Sequence, residues 1–396
     1  MVLAFSLGCS GESGGTGPAA ADGGPTSPGG DGGSGGVDAG PPAPSAAFDP
    51  TILHEVDLTV DAMYLEQLEH DRENRVPCTI VFDGVTVTNA GIRQKGGYGS
   101  SSNLSEKPAF SLKFNEFVPG QRLLGLRKLL LNNALEDPTL LSEHIGYEAY
   151  REAGLPATLT SHGVVTLNGM TYGIYVVKEA IAEDFLERNF GESYDEGNIY
   201  EGVFHPDDQS LGDFVLHPEA LELKDELEDM RSRDDVRALA ALISDTPDAD
   251  FVAAVSTKLD LDRYLTGFAL DTILGYWDSY AYYLNNYYLY DHPQDGRFVY
   301  LPHGMDQLQY EELSSPMGRL AQRVHEIPEL EERFVAELAR LRAAWPAEAM
   351  ATRLERARET VHSTTRTDER TLGDLDGFDA SYDQVRDKVA GLGTPP

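Results

Sequence analysis

The chain is poor in cysteine, poor in positive charge and without a long apolar run. Only Cys9 and Cys78 occur among its 396 residues. Two thiols cannot build a disulfide framework or a cysteine zinc centre. Cys78 precedes Thr79-Ile80-Val81-Phe82 and reads as a small buried hydrophobe. No segment reaches the roughly 18 consecutive apolar residues of a membrane-spanning helix. Lysine and arginine number 31 against 66 acids, a formal charge of −35. Such a chain repels phosphate backbones and anionic lipid surfaces, which argues against nucleic acid as a partner. A phosphate-bearing substrate must then be held by local cations or by metal ions, against the field of the whole molecule. Hydrophobic residues make up 41% and charged residues 24%, the balance of a globular chain long enough for one large two-lobed domain or two ordinary ones.

Glycine, proline, alanine and serine are abundant, and they crowd into residues 10–47. That stretch cannot bury a core and is expected to be a disordered tether. Before it, the short apolar stretch 2–7 ends in Gly8-Cys9-Ser10, which resembles a bacterial lipoprotein processing site. Ser6 stands where leucine is usual, and the run is short and lacks a preceding basic residue. The natural start is therefore expected upstream of Met1. On this reading residues 1–9 are a truncated signal, and the protein is secreted or held at the cell surface. A lipid on Cys9 would be its only link to a membrane. An unprocessed, disordered N-terminus is the other reading.

The folded part is expected to begin near Phe48. Residues 61–70 read as helix and 78–82 as strand, with Asp83-Gly84 as a hairpin turn into 85–87 and 91–93. Residues 96–103 (GGYGSSSN) form a glycine and serine loop, expected to be mobile. In 110–114, Phe110, Leu112 and Phe114 share one face and Lys113 takes the other. Asp137-Pro138 is expected to open a helix that Gly154 closes. Helical spacing puts Leu141, Ile145, Glu148 and Glu152 on one face. Asn168-Gly169 joins a second hairpin, and a short helix follows over 181–190. The rest reads mainly as helix, interrupted by one hairpin over 286–301.

This order matters more than any single element: hairpin, glycine-rich loop, strand with a central lysine, helix with an inward glutamate, hairpin, connector, then helices around a polar hairpin. It is the order of elements in protein kinases. Phosphoryl transfer needs a cover over the phosphates, a cation on their oxygens, metal ligands and a carboxylate near the attacking hydroxyl. Arg93 and Lys95 flank the glycine loop. Lys113 reads as a phosphate contact paired with Glu148, or equally as an exposed strand lysine. Asp278, in Trp277-Asp278-Ser279, could orient or deprotonate a hydroxyl, and Asn286 offers a neutral oxygen to a metal. The plainer reading is a helix cap and a turn residue. Asp306 follows a strand, where it could bind metal or cap the next helix. His303 beside it is a further ligand or base, or structural. The tyrosines around 276–290 read as core.

The segments from Asp57 to Gln307 together resemble the CotH (spore-coat protein H) kinase family. The carrying stretches are 91–96 (GIRQKG), 107–114 (KPAFSLKF), 120–126 (GQRLLGL), 128–141 (KLLLNNALEDPTLL), Gly154-Leu155-Pro156, Leu167-Asn168-Gly169 with Gly173-Ile174-Tyr175, 286–290 (NYYLY) and 301–306. The resemblance implies an α+β, bilobal protein-kinase-like fold, with a β-rich first lobe over 48–180 and a mainly helical second lobe over 181–396. It implies ATP with Mg2+ or Mn2+, and transfer to a serine or threonine hydroxyl of a surface or coat protein of unknown identity. Arg93 and Lys113 then resemble nucleotide-phosphate contacts, and Glu148 the helix glutamate. Glu179 is placed near the adenine, Asp278 resembles the catalytic-loop acid, and Asn286 and Asp306 resemble metal ligands. Two stretches depart from the family. Pro302-His303-Gly304-Met305-Asp306 stands where Pro-Trp-Asp-x-Asp is usual, which removes a carboxylate at Gly304. Gln94-Lys95-Gly96-Gly97-Tyr98 replaces an Arg-Gly-Asn-Ser-like turn. A pseudokinase, binding partners without chemistry, is the second reading. A metal-dependent hydrolase using His303 and acids around Ca2+ or Zn2+ is a third.

Overall fold

A computed structural model describes residues 46–97, 99–191, 197–224, 232–363 and 375–391. Cys9 and most of the expected tether lie outside the described residues. The first described residues, Ala46–Phe48, form a 3-10 turn, and Ala47 is already buried.

Seven strands follow, with two helices among them: β1 Leu53–Thr59, α1 Leu65–His70, β2 Val76–Phe82, β3 Val85–Lys95, β4 Ala109–Lys113, β5 Lys128–Asn132, α2 Ser142–Glu152, β6 Thr160–Leu167 and β7 Met170–Glu179. The sequence pattern predicts hairpins, and the structure closes them into a barrel in the order β1-β2-β3-β4-β5-β7-β6. Closure comes from parallel pairing of β1 with β6, Leu53 opposite His162 through Leu58 opposite Leu167. A parallel contact between strands a hundred residues apart leaves no local signature. The antiparallel hairpins do. At Asp83-Gly84 (φ 48° and 80°) and Asn168-Gly169 (φ 51° and 77°) both central residues have positive φ, as a tight primed turn demands.

Alternation then sorts the side chains. Ile92, Phe110, Leu112, Leu129, Leu131 and Val177 point into the barrel and are buried. Their neighbours along the chain point out. Register places Arg93 opposite Ser111, Lys113 opposite Lys128, and Leu130 opposite Lys178. The outer face of these strands therefore carries a row of cations.

After β7 the chain continues through α3 Glu183–Phe190, β8 Ile199–Gly202, β9 Glu222–Leu223, α4 Asp234–Asp245, α5 Asp248–Val255, α6 Leu261–Leu274, α7 Tyr280–Tyr283, β10 Tyr287–His292, β11 Arg297–Pro302, α8 Arg319–Glu326, α9 Pro328–Ala344, α10 Ala347–His362 and α11 Leu375–Gly391. The predicted hairpin β10-β11 is half of a four-stranded sheet ordered β11-β10-β8-β9. Strands β8 and β9 are too short to show a period. Helix α6 is buried on nearly every face, and Phe268 stacks on Phe334 of α9 with ring centroids 4.5 Å apart. Such a pair adds about 1 kcal/mol beyond the area it buries. Tyr276, Tyr280, Tyr287 and Tyr290 are fully buried, as the aromatic crowding predicts, whereas Trp277, Tyr282 and Tyr283 of the same stretch are only half-buried. The fold is α+β, and residues 41–396 form one compact unit. Among the described residues no helix is long and apolar enough to cross a membrane.

One buried acid in this core makes stability depend on pH. Asp271 of α6 is 1% exposed and accepts a hydrogen bond from Tyr150. Burial pushes its carboxyl up to about 8. The folded state thus holds a proton that the unfolded chain releases near pH 4, so stability falls as pH rises from about 4 to about 8. Asp271→Asn is expected to remove this slope, roughly 1.4 kcal/mol per pH unit. Denaturant unfolding of both proteins across that range checks it. Parallel curves would contradict it.

Candidate active site

The outer face of β3, β4, β5 and β7 looks across a cleft of 1870 Å³ at the loops that follow α6, α7 and β11. The barrel wall begins with the turn after β3. Gly96 has φ 114°, and a Cβ there would lie 2.8 Å from the Ser100 carbonyl oxygen. Asn133 donates to the carbonyls of Ser100 (3.0 Å) and Lys107 (2.8 Å). One amide thus ties Ser100, inside the glycine and serine loop, to Lys107 beyond it; Tyr98 lies outside the described residues.

A buried ion pair lies beneath this turn. Lys178 Nζ is 2.5 Å from Glu143 Oε1 and donates to Tyr147 Oη at 2.8 Å, and both charged side chains are 1% exposed. Asn132 Nδ2 donates to the other Glu143 oxygen at 2.5 Å, and Lys95 donates to Asn132 Oδ1. Burial alone would raise the Glu143 carboxyl, but the Lys178 ammonium outweighs it and holds the group below its usual range. Burial, and then Lys178, pull Lys95 down to about 8.

The opposite wall carries the acids. Asp278 is 8% exposed and accepts hydrogen bonds from Asn285 Nδ2 (3.2 Å) and Asn286 Nδ2 (2.6 Å). Burial pushes its carboxyl up to about 6, with Glu136 adding to the rise. Burial and then Glu143 raise Asp306, next to the β11 strand end, to about 8. Asn286 has φ 54°, and its Oδ1 lies where a Cβ on Gly304 would fall, at 2.5 Å. Gly304 itself has φ 60°, a backbone conformation that favours glycine, and a Cβ there would meet the end of the Asn286 side chain. His303 lies 3.6 Å from Glu201, and burial holds it neutral, well below the usual histidine range.

Asp278, Asn286, Asp306, Arg93 and Lys113 all line this one cleft. Two expected residues do not. Glu148 faces away from the cleft and pairs with Arg356 of α10 at 2.5 Å. Its place beside a lysine is taken by Glu143, five residues earlier, and that lysine is Lys178. Lys113 instead meets Glu116 at 3.1 Å. The helix starts at Ser142 because Asp137 accepts from Thr139 and Ser142 backbone N–H groups and holds a loop before it. Almost all of α2 is buried, so its periodicity could not single out one inward face. Glu179 is also withdrawn: Arg188 Nη2 holds it at 2.5 Å, and it accepts from the Leu159 N–H. Its side chain is not available to an adenine.

Glu136, Lys95 and Lys178 are cleft residues that the sequence reading did not assign to the site, apart from naming Lys95 beside the loop. Among the described residues no group of three or more His, Cys, Asp or Glu side chains is placed to hold a metal ion.

Fold and cleft together define an α+β protein with an ion-paired polar cleft. Residues 92–390, well over half of the chain, match the family model described as CotH kinase protein. The chain belongs to the CotH kinase family. Inner spore coat protein H of Bacillus subtilis (strain 168) is 25% identical over 194 residues, 48% of this chain and 52% of that protein. The inner spore coat protein H-like protein of the same organism is 32% identical over 72 residues, 18% of this chain and 22% of that one. The chain thus spans about half, or less, of the curated relatives it matches. The Helicobacter pylori proinflammatory kinase CtkA aligns with a TM-score of 0.33 and 12% identity over 76% of this chain and 97% of that one, too slight a likeness to bear on the fold.

Proposed function

We propose that this protein is an ATP-dependent phosphotransferase of bilobal, protein-kinase-like build, acting on a serine or threonine hydroxyl of a surface or coat protein. The observation that carries this reading is the pairing across one cleft: Lys95 and the Lys178–Glu143 pair on the barrel wall, Asp278, Asn286 and Asp306 on the other. Cations over acids is the arrangement that a metal-bound polyphosphate requires.

Leu130, Ile199 and Tyr288, with Ile181 and Leu186 beside them, would hold the nucleobase. Lys95, Lys178 and the Gly96-Gly97 turn would hold the phosphates. The donor set fits a hard divalent cation. Asp306 sits among Glu143 and Glu136, whose charges oppose its ionisation, and Asn286 adds a neutral oxygen. Mg2+ or Mn2+ held there would neutralise phosphate charge, its other ligands coming from phosphate and water. Asp278, held by two amides, accepts the proton of the acceptor hydroxyl. That oxygen bonds to the γ-phosphorus, the bond to the β-phosphate oxygen breaks, and ADP leaves. Secretion, and lipidation at Cys9, are part of the same proposal.

A second reading, binding without transfer, is favoured by Gly304, where the family carries a carboxylate. Mass spectrometry of a serine-rich acceptor incubated with the full chain and ATP separates the two. Phosphoserine formed with an equal amount of ADP supports transfer; bound nucleotide with an unmodified acceptor supports the second reading.

A further inference from the structure

Three aromatic rings beside Asp278 belong to no core. Trp277, Tyr283 and Phe204 are half-buried and line the cleft, and none of them is part of the apolar clusters of the described residues. They pack on one another instead. Phe204 stacks on Tyr283 with planes 13° apart and ring centroids 6.1 Å apart, and Trp277 meets Tyr283 edge-on at 5.1 Å. Their neighbours Tyr276, Tyr280 and Tyr287 are fully buried by contrast. Contiguous apolar surface left at a cleft marks a place where something docks.

The shelf is held in place. Trp277 comes directly before Asp278, and Tyr283 closes α7, just ahead of the Asn285 and Asn286 amides that hold the Asp278 carboxylate. Phe204 arrives from β8. Gln209 Nε2 donates to the Tyr283 carbonyl at 3.0 Å, and Tyr287 Oη donates to the Gly212 carbonyl at 2.8 Å, so the chain after β8 is tied to α7 and β10. A Cβ on Gly212 would strike the Leu284 carbonyl oxygen, and glycine there permits the close approach. The nucleobase has its own place on the proposed function: Ile199 opens β8, whereas Phe204 lies beyond the strand end at Gly202. A nucleic acid, whose bases also stack on such rings, is repelled by a chain of charge −35. A polypeptide suits the shelf. Its backbone carries no charge, and its aromatic and branched side chains are the groups that pack on aromatic rings.

We propose that Phe204, Tyr283 and Trp277 select the acceptor: they dock a large apolar or aromatic side chain of the acceptor polypeptide, a few residues from the serine or threonine at Asp278. This rests on the proposed function in taking Asp278 as the group that meets the acceptor hydroxyl.

Peptide binding to the full chain tests this. The probes are dye-labelled synthetic peptides centred on one serine, with alanine or phenylalanine at each flanking position in turn, and binding is read by fluorescence polarisation in the presence of a non-hydrolysable ATP analogue and Mg2+. At one or more positions phenylalanine is expected to bind about tenfold or more tightly than alanine. Phe204→Ala, and separately Tyr283→Ala, are expected to remove that preference while affinity for the analogue stays level. No preference for phenylalanine at any position in the wild type overturns the shelf, and so does a preference that survives both substitutions. Loss of analogue affinity with the peptide preference intact also overturns it, and gives the rings to the nucleobase. The same peptides are then offered γ-labelled ATP. Equal label on the alanine and phenylalanine peptides upholds transfer and overturns the shelf. A phenylalanine preference that depends on Phe204, with no label on any peptide, upholds the shelf as a docking surface while the transfer reading fails.

Discussion

Lys178→Met is expected to destabilise the protein by about 3–5 kcal/mol, because it leaves the Glu143 carboxylate buried and charged without its partner. The pair is 1% exposed on both sides and 2.5 Å apart. Tyr147 and Asn132 remain as hydrogen-bond donors, yet neither carries a charge. Glu143→Gln alone is expected to cost a comparable amount for the mirror reason, an uncompensated ammonium. The double variant should be more stable than the sum of the two, with a coupling of about 1–3 kcal/mol. Urea unfolding of the four proteins measures this cycle. A loss below about 1 kcal/mol in Lys178→Met would show that Glu143 is protonated in the folded state, contrary to the direction in which Lys178 drives it. Both single variants should also lose transfer activity, since Glu143 fixes Asn132 and through it Lys95.

Asp278→Ala is expected to lower the turnover rate by about 10²–10⁴-fold, the usual contribution of a positioned proton acceptor. Nucleotide affinity should change little, because on the proposed function Asp278 takes the proton of the acceptor hydroxyl and makes no contact with the base. The same substitution is not expected to lower the melting temperature at neutral pH. A carboxyl raised to about 6 by burial is a cost to the folded state wherever it is ionised. Loss of activity without loss of stability is the signature of a residue kept for chemistry. Turnover and nucleotide affinity measured on one preparation test it. A fall in affinity that accounts for the whole loss of rate would place Asp278 in binding instead.

Local structure was legible from residue order; long-range geometry was not. Asp-Gly and Asn-Gly turns, the alternation of β4, and the Asp278 to Asn286 stretch all announce themselves within ten residues. The closure of the barrel through β1 and β6 does not, since it depends on a pairing with no turn between the strands. The glutamate of α2 was misplaced for a related reason. A helix buried on nearly all sides shows no polar face from which to find its phase, so spacing pointed to Glu148 and gave no mark to Glu143, which was not considered. Glu148 is drawn outward by Arg356, more than two hundred residues away in sequence. Glu179 failed similarly, neutralised by Arg188 of the following helix. Lysine identity followed the same pattern: Lys113 has the right strand context, but the barrel brings Lys178 and Lys95 to the acids.

Labelled phosphate incorporation tests the central claim most directly. The full chain is incubated with γ-labelled ATP and a generic protein acceptor, with Mg2+, with Mn2+ and with chelator, beside Asp306→Ala. The proposed function requires metal-dependent label on a serine or threonine, reduced at least a hundredfold by Asp306→Ala. Nucleotide binding without label under any metal would contradict it, and would make this cleft a binding site in a protein that works through its partners.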